Sequence, residues 1–190
     1  DHHLNRKTHM PTTQTLLDEA LQRWYTVRRG LIREVSNVPA TRLTFRATLE
    51  ARSIMDIVHH VLELSIITVE ELLREDTNVE RASLSQLANV YAPNITRADS
   101  QEKLVNLLVE QYRDAETRLR EAGELHMLQL VTRIDGTHDT RLALFHEALQ
   151  HEMYHRGQLT VYARLIGLEP ALTRDRHTAM SGAFNPDALG

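Results

Sequence analysis

The chain has 190 residues, which is long enough for one domain with a sizeable hydrophobic core. Its formal net charge of −4 gives no overall attraction to nucleic acid or to an anionic membrane, so we expect neither as a direct partner. Cysteine is absent, which excludes disulfides, thiolate ligands and cysteine nucleophiles and restricts any metal ligand to nitrogen or oxygen.

The start of the sequence, residues 1–11, is a polar leader without the apolar segment of a secretory signal. The longest apolar runs elsewhere are far shorter than a membrane span. We therefore predict a cytoplasmic protein.

Two helices are predicted in the first half of the chain, each with a capping box at its start. The first begins at Thr15, three residues before Asp18, and its apolar residues recur at helical spacing to about residue 36. The second begins at Ser53, three residues before Asp56, and continues to about residue 75. A long connection follows, with one short helix predicted at residues 84–90.

A third long helix is predicted after this connection. It begins at Asp99, where Glu102 completes the cap, and ends near Gly123. Residues 128–134 are the one strand-like stretch of the sequence and predict at most a short hairpin arm, because a sheet needs further strands.

The fourth helix starts at about Thr140 and ends before Gly167 and Pro170. Residues 171–190 are expected to form an irregular tail. Four amphipathic helices within residues 12–170, with a long connection between the second and the third, predict an all-α domain that is an up-and-down four-helix bundle.

Two histidines lie four residues apart on the apolar stripe of the fourth helix, at positions that the periodicity assigns to the bundle core. Four residues turn an α-helix by about 400°, so His151 and His155 lie roughly 40° apart and one turn apart along the axis. Both imidazoles can therefore bind one ion, whereas without a metal their four ring nitrogens need other partners in the core. This spacing favours a metal site.

A third ligand is expected from the second helix, which carries two adjacent histidines. His60 lies on the apolar stripe, whereas His59 shares its face with charged residues and is predicted to be solvated. We therefore predict a metal site formed by His60, His151 and His155, with coordination positions left open as in catalytic sites. Zn²⁺, Ni²⁺ and Fe²⁺ all accept nitrogen ligands, and the sequence does not choose among them.

Three further residues are candidates for supporting roles. Glu147, one turn before His151, and Glu63, near His60, could each orient an imidazole by binding its second nitrogen. A solvated position on the helix surface is an equal alternative for both. Tyr162 lies on the apolar stripe and is a candidate pocket residue, although packing alone also explains it.

Residues 151–155 also match H-E-x-x-H, the zinc-protease helix in which the glutamate, here Glu152, is the general base. The longer metzincin pattern fails because its glycine and third histidine fall at Gln158 and Val161. No suitable helix with an acid follows, and no sheet edge is available to align a peptide. Di-iron helical bundles need two copies of the motif E-x-x-H, and this sequence contains one. The sequence therefore favours neither a zinc protease nor a di-iron protein.

The sequence around these histidines resembles the DinB/YfiT-like family. Residues 151–159 (HEMYHRGQL) and 162–170 (YARLIGLEP) resemble its closing helix, in a specific match. Residues 53–61 (SIMDIVHHV) resemble its second helix, in which the ligand is the second of the two histidines. The resemblance spans residues 12–170, although the first and third helices match only in pattern.

This resemblance implies a four-helix bundle, often dimeric, whose three-histidine site binds Zn²⁺ or Ni²⁺ with water completing the coordination. Members of the family include thiol-dependent S-transferases and a mycothiol-dependent isomerase. We therefore expect a homodimer and a small-molecule substrate.

The expected function is that of a divalent-metal-dependent enzyme, either a thiol-dependent S-transferase or a related hydrolase or isomerase. The metal would lower the pKa of a bound thiol or water, which then attacks an electrophilic substrate. Because the chain has no cysteine, the thiol would be a small cosubstrate such as bacillithiol, mycothiol or glutathione. The alternative is a non-catalytic, dimerising interaction module that the metal only braces. An open cavity at the site would favour the enzyme.

Overall fold

The helices and strands are taken from a computed structural model, which describes residues 14–79, 82–133 and 135–183. The helices are α1 (Leu16–Asn37), α2 (Ile54–Leu72), α3 (Leu84–Tyr91), α4 (Gln101–Met127), α5 (Arg141–Leu165) and α6 (Ala171–Ala183). The strands are β1 (Leu130–Thr132) and β2 (His138–Thr140). No helix in these ranges is long and apolar enough to cross a lipid bilayer. The predicted polar leader lies outside the described residues.

The first two helix starts are fixed by capping boxes, as predicted. The Thr15 hydroxyl accepts from the backbone N–H of Asp18 at 3.0 Å, and the Asp18 carboxylate accepts from the N–H of Thr15 at 3.1 Å. Ser53 and Asp56 make the same pair of hydrogen bonds. Each box satisfies N–H groups that have no partner within the helix, and so determines where its first turn begins.

Helix α4 differs from the prediction at both ends. Its cap is Ser100, whose hydroxyl accepts from the N–H of Lys103, while the predicted cap Asp99 binds the Lys103 ammonium instead. Gly123 was predicted near the end of this helix. It has a left-handed φ of 80°, yet the helix resumes and continues to Met127.

The four long helices α1, α2, α4 and α5 form the bundle. Helices α1 and α2 each pack against both α4 and α5, so α1 and α2 face each other across the bundle diagonal. One apolar cluster joins the first parts of α1 and α5 to the last parts of α2 and α4. A second cluster joins the last parts of α1 and α5 to the first parts of α2 and α4. The chain therefore runs up α1, down α2, down α4 and up α5.

The all-α four-helix bundle and the long second connection are confirmed, with one difference in direction. Helices α2 and α4 run parallel, so the directions do not alternate strictly as in a simple up-and-down bundle. The reason lies in residues 73–100, which carry the chain back along the bundle. On the way, α3 and a 3₁₀ turn at Ile95–Arg97 pack against α2.

The predicted short hairpin is also present. Strands β1 and β2 pair antiparallel, with Leu130 opposite Thr140, and Asn78 adds an isolated parallel bridge to Thr132. Residue 134, the last of the predicted strand-like stretch, lies outside the described residues. The hairpin leads directly into α5, whose first turn is capped by the Thr140 hydroxyl.

The prediction of an irregular tail is wrong for residues 171–183, which form α6 against α1. Glu34 of α1 is buried, and its carboxylate accepts from the backbone N–H groups of Ala171 and Leu172, both at 2.9 Å. Sequence reasoning took Pro170 only as a stop signal, but the fixed φ of proline also suits the start of a helix.

Candidate metal centre

Three histidine side chains from two helices meet in the bundle between α2 and α5. One side-chain nitrogen each from His60, His151 and His155 lies within 4.8 Å of the other two. The ring centroids are 5.0 Å apart for His60 and His151, 4.9 Å for His60 and His155, and 4.3 Å for the pair on α5. The structure thus brings together the three residues selected from the sequence.

The two histidines of α5 present the same ring nitrogen to each other. The Nε2 atoms of His151 and His155 are 2.9 Å apart, as expected for side chains stacked one helical turn apart. On its other side, His155 Nδ1 donates to the amide oxygen of Gln158 at 2.7 Å. Because this bond places the proton on Nδ1, the lone pair of Nε2 points into the cluster.

Burial keeps the three imidazoles neutral at pH 7. It lowers the pKa of His60 to about 4, and the positive charge of Arg52 contributes to the same shift. Burial also lowers the pKa of His151 and of His155. Neutral imidazole is the form that binds metal, so no proton has to be displaced from these rings at pH 7.

The donor set fits a divalent transition metal. Three neutral imidazole nitrogens suit Zn²⁺, Ni²⁺ or Fe²⁺, and the helical spacing on α5 lets two of them reach one ion. Within the part of the chain that the structure describes, no carboxylate and no fourth histidine joins the cluster. Such a site leaves coordination positions for small molecules, as catalytic sites do.

The two glutamates chosen to orient the imidazoles do not bind them in the structure. The Glu147 carboxylate accepts from Arg133 at 2.9 and 3.2 Å. Glu63 makes no hydrogen bond to an imidazole of the cluster within the described ranges. The orienting contact comes instead from Gln158, which sequence reasoning missed although it lies one turn after His155.

Tyr162 and His59 serve the packing of α2 rather than the cluster. The Tyr162 hydroxyl donates to the carbonyl oxygen of Arg52 at 3.0 Å, and its ring meets Phe45 edge-on. His59 was predicted to be solvated, but it is half-buried and its Nε2 donates to the carbonyl oxygen of Ala98 at 2.8 Å. These contacts hold the start of α2 against α5 and against the connection.

A buried arginine that the sequence analysis missed binds Glu152, the neighbour of His151 on α5. Arg28 of α1 is 1% exposed, and two of its N–H groups donate to Glu152 at 2.7 and 2.9 Å. Its remaining N–H groups donate to Ser65 Oγ, Gln111 Oε1 and the carbonyl oxygen of Leu108. All five N–H groups are therefore satisfied, and one side chain joins all four helices of the bundle.

A signal for this arginine was available in the sequence. Trp24, Arg28, Leu31 and Val35 follow each other at helical spacing, so Arg28 lies on the apolar stripe of the first helix. A charged residue on such a stripe needs a buried partner of opposite charge. The partner itself could not be identified from this local pattern.

Glu152 is not placed to act as the general base of a zinc protease. The residue is 3% exposed, both carboxylate oxygens accept from Arg28, and Oε2 also accepts from the Trp24 indole N–H at 3.0 Å. Adjacent residues on a helix point about 100° apart, so this carboxylate faces α1 while His151 faces α2. The H-E-x-x-H match therefore has a structural explanation.

A cleft of about 650 Å³ opens beside the histidine cluster. Its walls come from α2, from α5 and from the segment around α3, and His151 forms part of its lining. Tyr162, the candidate pocket residue, does not line it. A volume of this size is in the range of small-molecule sites.

Comparison with known proteins gives matches at the level of family and fold. The profile of the DinB family matches residues 10–182. YfiT from Bacillus subtilis, described as a probable metal-dependent hydrolase with an unusual four-helix bundle topology, aligns with a TM-score of 0.63 at 18% identity. The alignment covers 80% of this chain and 89% of YfiT.

A second similar structure is that of the mycothiol-dependent maleylpyruvate isomerase, with a TM-score of 0.58 at 17% identity. That alignment covers 75% of this chain but only 60% of the isomerase. No curated protein sequence matches this chain. At these identities, the two structures show that the fold is shared.

Proposed function

Because this chain belongs to the DinB family, we propose that it is a divalent-metal-dependent enzyme whose metal is held by His60, His151 and His155. The observation that carries this proposal is the convergence of three neutral imidazoles beside an open cleft. An interaction module braced by a metal would not require such a cleft, and a closed structural site would require a fourth protein ligand.

The proposed reaction is attack by a small thiol, or by water, on an electrophilic small molecule. When bound, the metal supplies Lewis-acid chemistry that lowers the pKa of such a nucleophile. The chain contributes three imidazole nitrogens, the Gln158 amide that keeps the His155 proton on Nδ1, and apolar cleft walls that exclude water. Arg28 and Glu152 hold α5 so that its two histidines face His60.

The names of the two similar structures support this reaction class. YfiT is described as a probable metal-dependent hydrolase, and the isomerase depends on mycothiol. Since the present chain has no cysteine, a thiol nucleophile would be a separate small molecule. A thiol-dependent transferase is therefore our preferred assignment, with a hydrolase or an isomerase as the related alternatives.

The first test is elemental analysis of the purified protein and its variants by inductively coupled plasma mass spectrometry. We expect stoichiometric Zn, Ni or Fe in the wild type and loss of metal in His60→Ala and in His155→Ala. His59→Ala is the matched control and should retain the metal, because His59 binds the Ala98 carbonyl instead. Full metal content in His155→Ala, or none in the wild type after reloading, would refute the site.

The second test is metal-dependent consumption of a small thiol. Bacillithiol, mycothiol and glutathione would each be offered with electrophilic substrates, and loss of free thiol would be measured. We expect consumption by the metal-loaded wild type and none by metal-free His60→Ala. Equal rates for the two proteins would show that any reaction occurs elsewhere.

A further inference from the structure

We propose that the cleft beside the histidine cluster binds a single straight alkyl chain whose carboxylate head reaches the three histidines. This inference rests on the proposed function, in its hydrolase form, and specifies its substrate class as a medium-chain acyl ester. Attack of water on the ester carbonyl breaks the acyl–oxygen bond, releases the alcohol with a proton from the water, and leaves the fatty carboxylate with its head at the histidines. It is argued from the length of the cleft, from the pairing of the charges in its walls, and from the cation near the histidine end.

The cleft runs along the bundle, and His151 of the cluster forms part of its lining. On α2 its wall extends from Val61, which follows His60, to Leu72 at the end of the helix. At about 1.5 Å per residue the 11 steps from Val61 to Leu72 correspond to about 16 Å. On α5 the wall extends from Leu144 to Glu152 and includes His151. A long ligand in this cleft would therefore have one end at the cluster.

The length of the cleft sets the length of the ligand. Three bonds of an extended chain span at most about 3.6 Å, or about 1.2 Å per bond, so about 16 Å accommodates roughly thirteen bonds. This is about the length of a twelve-carbon chain together with its carboxylate oxygen. The volume of about 650 Å³ is sufficient for a chain of this size. Dodecanoate is therefore the probe of choice.

The walls of the cleft favour an apolar ligand. Most lining residues are aliphatic or aromatic, and α3 covers one side with Leu84 and the buried Leu87. The carboxylates in the lining already have partners, which are Arg28 for Glu152, Arg133 for Glu147 and the Tyr91 hydroxyl for Glu71. A polar ligand body would lose much of its hydration between these aliphatic and aromatic walls, whereas an alkyl chain would gain from burial.

A cation near the histidine end favours an anionic head. The positive charge of Arg52 contributes to the lowered pKa of all three histidines, so its guanidinium lies close to the cluster. The Tyr162 hydroxyl holds the Arg52 backbone two helical turns from His155. Within the described residues, the exposed Arg52 side chain has no hydrogen bond or ion pair. Its planar fork is suited to a carboxylate.

The test uses Trp24, the only tryptophan of the chain, which lines the cleft. Its fluorescence would be titrated with hexanoate, decanoate, dodecanoate and hexadecanoate. We expect affinity to rise about fourfold for each added methylene up to about dodecanoate, and then to level off. Absence of a Trp24 response to dodecanoate, or a response independent of chain length, would overturn the proposal.

Matched variants locate the binding. Ala148→Phe adds a ring to the cleft wall on α5, whereas Gln150→Phe adds the same ring to the exposed outer face of that helix. We expect a loss of about tenfold or more in dodecanoate affinity for Ala148→Phe only. If circular dichroism shows that Ala148→Phe does not fold, Thr68→Phe fills the cleft from α2 instead. Wild-type affinity in a folded cleft variant would contradict the assignment.

The head group is tested with Arg52→Gln. This substitution should weaken binding of dodecanoate but leave binding of dodecanol unchanged, since the alcohol carries no charge. Equal losses for the two ligands would exclude Arg52 as the recognising cation.

The two proposals can fail separately. Metal-free His60→Ala should still bind the alkyl chain, because the cleft walls do not depend on the metal. Stoichiometric metal without chain binding would contradict only the alkyl ligand. Chain binding by a protein that never takes up metal would contradict only the proposed metal enzyme.

Discussion

Gln158 and Glu147 illustrate how neighbours one helical turn away compete for an imidazole. Both positions are close enough on α5 to contact a histidine of the cluster, and a carboxylate is the stronger acceptor. Gln158 makes the contact, at 2.7 Å from His155 Nδ1. Glu147 is bound by Arg133 in the segment between β1 and β2. The selection therefore depends on a cation that the helix pattern does not include.

The low pKa of His60 predicts how the metal-free protein responds to acid. The folded protein has a His60 pKa of about 4, against an ordinary value of 6.5 that applies to the unfolded chain. Between these values the unfolded chain binds a proton that the folded chain does not. Lowering the pH from 6.5 towards 4 therefore lowers the free energy of unfolding, while above pH 6.5 the contribution of His60 to this free energy is constant.

Urea unfolding of metal-free protein at pH 7 and pH 5 measures this effect. His60→Asn, which cannot titrate, should show a smaller loss of stability between the two pH values than the wild type. Paired carboxylates contribute mainly below about pH 5, so they do not obscure the comparison. If the wild type and His60→Asn lost the same free energy of unfolding between pH 7 and pH 5, the pKa of His60 would not be lowered in the folded protein.

At the scale of helices, the Arg28 and Glu152 pair fixes α1 and α5 against each other inside the bundle. Both side chains are nearly inaccessible to solvent, and the guanidinium also binds α2 and α4. The relative positions of α2 and α5 decide whether His60 meets the pair on α5. The pair is therefore part of what positions the candidate metal centre.

Glu152→Gln should cost about 3–5 kcal/mol in the free energy of unfolding, because it leaves the Arg28 cation buried without a compensating charge. Glu116→Gln is the matched control, since it breaks an exposed pair with Arg120 on α4 and should cost less than about 1 kcal/mol. Chemical denaturation of both variants measures the difference. A loss of similar size in the two would show that burial of the pair has little energetic effect.

Helix α6 shows how an element can depend on a distant cap. The N–H groups of its first turn are bound by Glu34, 137 residues earlier in the chain. A local pattern at residues 167–172 contains the glycine and proline that end α5, but no capping side chain. The tail was therefore predicted as irregular although the family profile extends through most of α6.

At the scale of the whole molecule, two apolar clusters hold the two ends of the bundle. These clusters include residues from all four long helices, so the fold does not depend on a metal in the way that a zinc finger does. A bound metal adds stability only through its preference for the folded state.

Removing the metal with a chelator should therefore leave the helical content unchanged, as measured by far-UV circular dichroism. For metal present at about 100 times its Kd, we expect Tm to fall by about 5–10 °C on chelation. The His60→Ala variant should show no such shift. Loss of the helical signal at 25 °C after chelation would show that the metal is required for folding.

The sequence by itself determined the long helices, most of their starts and the choice of His60 over His59. Capping, helical periodicity and the spacing of His151 and His155 are relations within four residues, so they can be identified without the fold. Only the tertiary structure decided that α2 and α4 run parallel, that Arg28 binds Glu152 across 124 residues, and that a cleft reaches the cluster. These features depend on which helix faces meet, and a local pattern carries no information about that choice.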